Sequence, residues 1–469
     1  MGSRILRNTA LVLTARVASS LLALVTVIVM EVHLRPSGFG VFGDVVNLAA
    51  LATVFLDAGF NTLFQREGAR HPGELSRYLN NLLTGRLAFA LLALLAFTVL
   101  LGVAGRLEFL LPAFLTMVLT SYSNLLRGAL YAVQRLGFEA IAIVSQSLIL
   151  LGLVLFGVAS GQGVAYFLWA YAAAYGCSCV YFAVVLTARR IARFRPSIDP
   201  AFIGRWLWKG LPFAATFAIT TVYFKIDVPI LNFLRGDYQT GLYVAAYKPF
   251  EALLFVPVTM LNVVFPQLAI YHRQAEDRVA WAVARFYKSL LLLGWPIGMG
   301  TFMLVGGLLP LYQFPESAPA LRILSLGIVL MFVNNAFIAA LSATDRQLSF
   351  TWAALASMVV NVVLNLALIP PFGYLGASWA TVVTELGLVV FGWLLTARHL
   401  GRVPVLRLSW RILLAGLVMG AALYPFQWVH GPLTLLAIAG GAVVYGAAIL
   451  LLRAVDEEEM AVIRRALGR

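Results

Sequence analysis

Runs of about twenty apolar residues follow one another from end to end of this chain, separated by short polar links. That pattern leaves very few folds open. Inside hydrocarbon every backbone N–H and C=O needs a partner from the chain itself, so only helices and closed barrels span, and barrel strands are about half this length. With 61% hydrophobic and 12% charged residues, the chain has too little charged surface for a soluble body of 469 residues. The expected fold class is an all-α polytopic membrane protein with about fourteen transmembrane helices. The runs lie near residues 9–33, 40–63, 81–104, 109–132, 139–159, 164–187, 208–231, 241–265, 286–309, 320–343, 349–369, 375–397, 410–429 and 432–453.

The net charge of +14 is scattered through the links, which argues against a nucleic-acid partner and makes it a topology signal. Alternate links collect Arg4 and Arg7, Arg66 to Arg77, Arg135, the run Arg189 to Lys209, Arg273 to Arg285, Arg346, Arg398 to Arg407, and Arg453 with Arg464, Arg465 and Arg469. The other links hold little beyond Arg35, Arg106, Arg235 and Arg322. This asymmetry of roughly five to one places both termini in the cytoplasm and calls for an even number of spans in the inner membrane. The apolar run after Asn8 continues too long for a cleavable signal, so the first helix is expected to be retained. Cys177 and Cys179, two apart on one helix, point to different faces and form neither a disulfide framework nor a metal site.

Two six-helix halves in the same orientation are suggested by short internal matches. Leu186-Thr187-Ala188-Arg189 recurs as Leu395-Thr396-Ala397-Arg398. Gly40-Val41-Phe42 recurs as Gly241-Leu242-Tyr243, and Phe64 as Phe265, both at an offset of 201. The organisation read from this is an N-lobe over 1–190, a cytoplasmic linker over 191–207, a C-lobe over 208–398, two added helices over 399–453 and a cytoplasmic tail over 454–469. In the linker, the arginines with Phe202, Trp206 and Trp208 suit a segment at an anionic membrane surface.

Charges inside the apolar runs are expensive, which makes them functional candidates. The hairpin Leu211 to Ala269 holds four, Lys225, Asp227, Lys248 and Glu251. With its turn taken as 232–240, the two lysines come at similar depths, about 10 to 12 Å from that turn. Lys248 and Glu251 share a helix face at i, i+3. Either the four face a cavity or they lock the hairpin as ion pairs. No link carries a metal-ligand spacing, a phosphate-cradling glycine loop or a nucleophile elbow, and no cofactor is expected. The outward links are too short to hold an acceptor for glycosyl transfer, so the chain is not expected to be an enzyme.

Several stretches resemble the oligosaccharide flippase, or polysaccharide transporter, branch of the multidrug/oligosaccharidyl-lipid/polysaccharide exporter superfamily. They are Pro36-Ser37-Gly38-Phe39-Gly40-Val41-Phe42, Asp57-Ala58-Gly59-Phe60, Tyr223-Phe224-Lys225-Ile226-Asp227, Gly241 to Lys248, Phe265-Pro266-Gln267-Leu268-Ala269 and Asn361 to Glu385. Leu34-Arg35-Pro36 departs from the Leu-Gly-Pro often found in such proteins. The resemblance implies two six-helix lobes around a central cavity that opens alternately inward and outward. Its cargo would be a polyprenyl-pyrophosphate-linked oligosaccharide moved to the outer leaflet for glycan assembly, in contact with membrane lipid and alongside a polymerase and glycosyltransferases of the same pathway. Sister branches that export cationic drugs or flip lipid-linked peptidoglycan precursor are the alternatives, and a membrane glycosyl polymerase or ligase stands further off. Within this frame Lys225, Lys248, Arg16 and Arg127 are candidates for the pyrophosphate, the two arginines with snorkelling to the interface as the competing use. Asn335, Asn361 and Asn365, beside Asn334, and Tyr223 and Tyr247, with Tyr243, are candidates for sugar contact, against interhelical bonding and packing. Asp57, Asp227, Glu251 and Glu385 are the carboxylates available for ion coupling or ion pairing.

Overall fold

A computed structural model describes residues 2–274, 276–312, 314–344, 346–401, 403–429 and 431–455. The tail from 456 on, with the charged run expected there, lies outside the described residues, as do Arg402 and His430 and the side chains of Arg4 and Arg7. The described residues form fifteen α-helices and no strand. They are α1 (Gly2–Asp57), α2 (Phe60–Arg70), α3 (Leu75–Val103), α4 (Leu110–Ala132), α5 (Leu136–Ala159), α6 (Val164–Ala188), α7 (Pro200–Lys225), α8 (Asp227–Leu253), α9 (Phe255–Gln274), α10 (Glu276–Tyr312), α11 (Ala318–Ala343), α12 (Gln347–Phe372), α13 (Tyr374–Leu400), α14 (Val405–Leu423) and α15 (Pro432–Leu451).

Among the described residues twelve helical stretches are long and apolar enough to cross a membrane, which makes this a multi-pass membrane protein. Two of the twelve, Thr14–Asp57 with 44 residues and Pro200–His272 with 73, exceed the length of one crossing. Each is interrupted by a non-helical residue, Arg35 (φ 59°, ψ 173°) and Gly236 (φ 77°, ψ −178°). The count of fourteen therefore requires each of these two to cross twice.

The polar turns expected at 34–39 and 232–240 are thus single-residue breaks. Arg35 precedes Pro36, whose ring disfavours the helical conformation for the residue before it. Arg35 and Gly236 are 201 residues apart, the offset of the internal matches, so the same device recurs in each half. Only one copy has the residue that suits it. The region near φ +60°, ψ 180° belongs almost wholly to glycine and costs other residues about 1–3 kcal/mol. Arg35→Gly is therefore expected to stabilise the protein and Gly236→Ala to destabilise it, by roughly 1 kcal/mol or more each. Thermal unfolding in detergent, with Tm rising in the first variant and falling in the second, is the measurement.

Other boundaries move for local reasons. Helix α7 begins at Pro200, eight residues before the expected span, because the Asp199 carboxylate caps it by accepting from the Phe202 N–H (3.0 Å) and Pro200 suits the first turn. Phe202 and Trp206 are buried against Tyr78, while Trp208 is 79% exposed, so the aromatic run divides between core and surface. The link after the second span folds as α2, entered through Ala58 (φ 44°) and Gly59 (φ 73°).

The chain divides into two compact units, Met1–Val244 and Ala245–Arg469. In the first, α1 packs along α5 and α3, α4 lies against α6, and α7 meets α1 and α2. Its core gathers Phe60, Phe64, Leu125, Phe182 and Trp206, which are almost wholly buried. In the second, α11 is enclosed by α10 and α13 and is the most buried helix, while α14 and α15 pack together beside α10. Small residues permit these approaches: Gly298 lies under Val329, and Gly416 lies against the Trp295 indole, which donates to the Leu413 carbonyl (3.1 Å).

Candidate functional site

The first unit holds an open cavity of about 530 Å³. Four helices build its wall. Helix α1 supplies Val46, Ala49, Ala50 and Thr53; α4 supplies Ala113, Thr116, Met117, Thr120 and Asn124; α6 supplies Leu168, Tyr171 and Tyr175; α7 supplies Phe217, Thr220, Thr221, Phe224 and Lys225. Each set falls on one side of its helix, as i, i+3, i+4 and i+7 spacing requires. The wall is mostly apolar, with one ammonium group and no carboxylate.

The polar groups on this wall differ in what they can still do. Thr53, Thr116 and Thr220 spend their hydroxyl protons on backbone carbonyls one turn back, leaving their oxygens as acceptors. The side chains of Thr120, Asn124, Tyr175 and Thr221 have no hydrogen-bond partner among the described residues. Hydroxyls and an amide on an apolar, aromatic surface are the composition that suits a polyhydroxylated ligand with hydrophobic ring faces.

Of the residues expected at a site, Lys225 is the one on this wall. It comes eleven residues before the break at Gly236, about 16 Å along the helix, which is deeper than the 10 to 12 Å expected because the helix runs on to Arg235. Lys248 belongs to the second unit and pairs with Glu251 at 2.8 Å, as the i, i+3 spacing predicts; both side chains are partly exposed. Arg16 is bound to Glu139 (3.2 Å) and to the Tyr131 hydroxyl, which itself donates to Glu139 (2.6 Å). Arg127 stacks its guanidinium 6.0 Å from the Phe182 ring centre.

The expected sugar contacts are occupied otherwise. Asn335 donates to the Met331 carbonyl (2.9 Å), Asn361 to the Thr384 hydroxyl across to α13 (3.3 Å), and Asn365 to the side chain and carbonyl of Asn361 (3.0 Å each). All three are buried, as is Asn334. Tyr223 packs edge-on to Phe224, and Tyr247 lies 5.2 Å from Phe250; both are more than nine-tenths buried.

The carboxylates divide in the same manner. Asp57 pairs with Arg86 at 2.8 Å, and Arg86, with no exposure at all, also donates to Asn61 Oδ1 (2.7 Å), to the Ser121 carbonyl (2.6 Å) and to Ser121 Oγ (2.9 Å). Asp227 accepts from the Tyr243 hydroxyl (2.7 Å) and closes the hairpin on itself. Glu385 is buried in α13.

Arg86 went unnoticed in the sequence, although a guanidinium six residues into an apolar run is the same signal that singled out Lys225. Glu31 and Asp44 were missed for the same reason. Glu31 is fully buried and neither carboxylate oxygen has a hydrogen-bond partner among the described residues; Asp44 is buried near the ion pair of Arg106 and Asp237. Thr120, Asn124, Tyr175 and Thr221 gave no signal, since such residues are common in membrane helices and only the packing shows which of them face a void.

Comparison with known proteins agrees with this architecture. The solved structure of a lipid II flippase, MurJ, in an inward closed conformation superposes with a TM-score of 0.77 over 98% of this chain and 100% of that one, at 15% identity. An inward-facing multidrug resistance MATE transporter of the MOP superfamily gives 0.69 over 84% of this chain and 98% of its own, also at 15%. A MOP superfamily transporter from Pyrococcus furiosus gives 0.57 over 89% and 96%, again at 15%. At such identities the likeness is one of fold. In sequence, the probable flippase AglR of Haloferax volcanii is 24% identical over 245 residues, 49% of this chain; the alignment spans half the length of that relative. A family model described as polysaccharide biosynthesis protein matches residues 5–272. The chain belongs to that polysaccharide biosynthesis protein family.

Proposed function

We propose that the protein is a transporter, not an enzyme, and that it moves a polyprenyl-pyrophosphate-linked oligosaccharide from the cytoplasmic to the outer leaflet of the inner membrane by alternating access. Both termini lie in the cytoplasm on this reading, following the Lys and Arg asymmetry. The observation that carries it is the wall of the cavity in the first unit, with its hydroxyls, amide and tyrosines around a single lysine and without a carboxylate. Such a cargo has three demands. Its pyrophosphate needs cations in place of water, its sugars need hydrogen-bonding groups, and its lipid tail needs a path through hydrocarbon. Lys225 answers the first, and Thr120, Asn124, Tyr175 and Thr221 the second. An exporter of cationic drugs would need the opposite charge on this wall. At about 530 Å³ the space is within the range of ordinary ligand sites and suits a few sugar rings rather than a polymer.

The test is reconstitution of the purified protein into proteoliposomes carrying a short-chain polyprenyl-pyrophosphate disaccharide. A glycosidase added outside reads the lipid's arrival in the outer leaflet. Protein-dependent arrival is the expected result. Efflux of a cationic dye with no lipid movement would transfer the chain to the drug-exporting branch, and appearance of lengthened glycan would make it a polymerase.

A further inference from the structure

Arg16, Tyr131 and Glu139 come from α1, α4 and α5 of the first unit and close on one another at its arginine-rich end, beside the link that carries Arg135. One oxygen of Glu139 takes both donors, Arg16 Nη2 at 3.2 Å and the Tyr131 hydroxyl at 2.6 Å. Its other oxygen is buried without a hydrogen-bond partner among the described residues. The Glu139 side chain has no exposure, whereas 41% of the Arg16 side chain is exposed, and the hydrogen bonds of that guanidinium all leave from Nη2. Arg86 is the contrast. Sealed and bound to four acceptors, it has nothing left with which to meet a ligand, while Arg16 is held along one edge only.

The cluster continues the cavity wall. On α4, Thr120, Asn124, Arg127 and Tyr131 follow at spacings of four, three and four and so share one face, and the first two line the cavity. Arg127 stands close enough to Tyr131 to interact with it, so two guanidiniums face a single carboxylate. The helices on either side of Arg16 are fixed to each other. Ala15 packs with Ala140 before it, and Ser19 Oγ meets Ser147 Oγ at 2.7 Å one turn after it. A change of partner by Arg16 therefore needs a side-chain rotation and no movement of α1 against α5.

We propose that Glu139 is the resident counter-anion of Arg16, displaced by the pyrophosphate group of the cargo when it enters and restored when the cargo leaves. A guanidinium among apolar helices is costly without an anion, and the carboxylate supplies one whenever the cavity is empty. Tyr131 continues to donate to Glu139 while Arg16 is away, so the buried carboxylate keeps a hydrogen bond in both states. Because Arg16 is occupied most of the time, the affinity for cargo is lowered by the fraction of it that is available, which permits release. The exchange rests on the transport reading, and its test separates the two by measuring binding apart from movement.

Binding of a short-chain polyprenyl pyrophosphate without sugar is measured by calorimetry on the purified protein in detergent, with inorganic pyrophosphate and the uncharged polyprenol as companions. Glutamine keeps the size of Glu139 and an acceptor oxygen but removes the charge. Glu139→Gln is expected to tighten both pyrophosphates about tenfold, the low end for a hydrogen bond to a charged group, and to leave the polyprenol unchanged. Glu139→Asp should stay near the parent. Arg16→Gln should weaken both pyrophosphates, and adding Glu139→Gln to it should change nothing further, which sets an exchange at Arg16 apart from a general rise in positive potential.

In proteoliposomes with the lipid-linked disaccharide, Glu139→Gln is expected to lower the half-saturating concentration and the maximal rate together, as tighter holding slows release. A merely structural lesion would lower the rate without tightening anything. Unchanged or weaker pyrophosphate binding in Glu139→Gln, or tightening that persists in the Arg16→Gln background, overturns the proposal. Tightening confined to inorganic pyrophosphate overturns the lipid headgroup as the displacing anion. Proteoliposomes that move no lipid while Glu139→Gln still tightens the lipid pyrophosphate remove the transport reading and leave the exchange standing; normal flipping with unaltered binding does the reverse.

Discussion

Arg86→Ala is expected to destabilise the protein by about 3–5 kcal/mol, enough to lose most of the folded material extracted in mild detergent. The side chain is completely buried, between α1, α2 and α4, and holds four acceptors within 2.9 Å: Asp57, Asn61 and two oxygens of Ser121. Its removal leaves the Asp57 carboxylate buried at membrane depth without a cation, and an unpaired buried charge is among the largest single penalties a fold meets. The penalty comes from the orphaned partner, so it should shrink when the partner goes too. Arg86→Met with Asp57→Leu is expected to recover much of the loss, giving a coupling of opposite sign to the single changes in a double-mutant cycle. Thermal unfolding of the four proteins is the measurement. An Arg86→Ala protein within 1 kcal/mol of the parent would mean that water reaches Asp57 and that the pair does not hold α3 to α1.

Lys225→Ala is expected to reduce flipping of the lipid-linked disaccharide by tenfold or more. Hydrogen bonds to charged groups contribute about 1.5–3 kcal/mol, which is roughly ten- to a hundredfold in binding. Lys225 lies on the cavity wall and is half-buried, whereas Arg86 is completely buried. Lys225→Arg should keep a substantial part of the rate, because a guanidinium still meets phosphate oxygens. Lys225→Gln, close in size and uncharged, separates charge from bulk and should behave like the alanine variant. Initial rates in proteoliposomes, normalised to folded protein, decide the matter; a wild-type rate in Lys225→Ala returns that lysine to a structural role.

These two residues mark where reading the chain as text succeeds and where it stops. Both are cations inside apolar runs and carry the same signal, although only Lys225 was singled out by it. What text does not carry is direction. Whether the group points at a carboxylate 29 residues away in the chain or into a void depends on the rotation of its helix against three others. Lys248, from the same hairpin as Lys225, turns out to pair with Glu251, a contact that the i, i+3 spacing does reveal because both ends are on one helix. The asparagines of α11 and α12 teach the converse: amides within reach of neighbouring helices and their own backbone are taken up there, and the groups left open to the cavity are Thr120, Thr221, Asn124 and Tyr175, which no pattern distinguished.

Local chemistry, then, determined from sequence alone what has local causes. Apolar runs of membrane length set an all-helical, multi-pass body, since no other backbone satisfies itself in hydrocarbon, and the repeat at an offset of 201 foretold equivalent elements. Tertiary structure alone decided that the repeat meets itself at Gly40 and Gly241, that Asp57 belongs to Arg86, and that α1, α4, α6 and α7 leave room between them. Each of those is a contact between residues far apart in the chain, fixed by how helices rotate and close-pack to fill space, and that is a property of the assembled set rather than of any one segment.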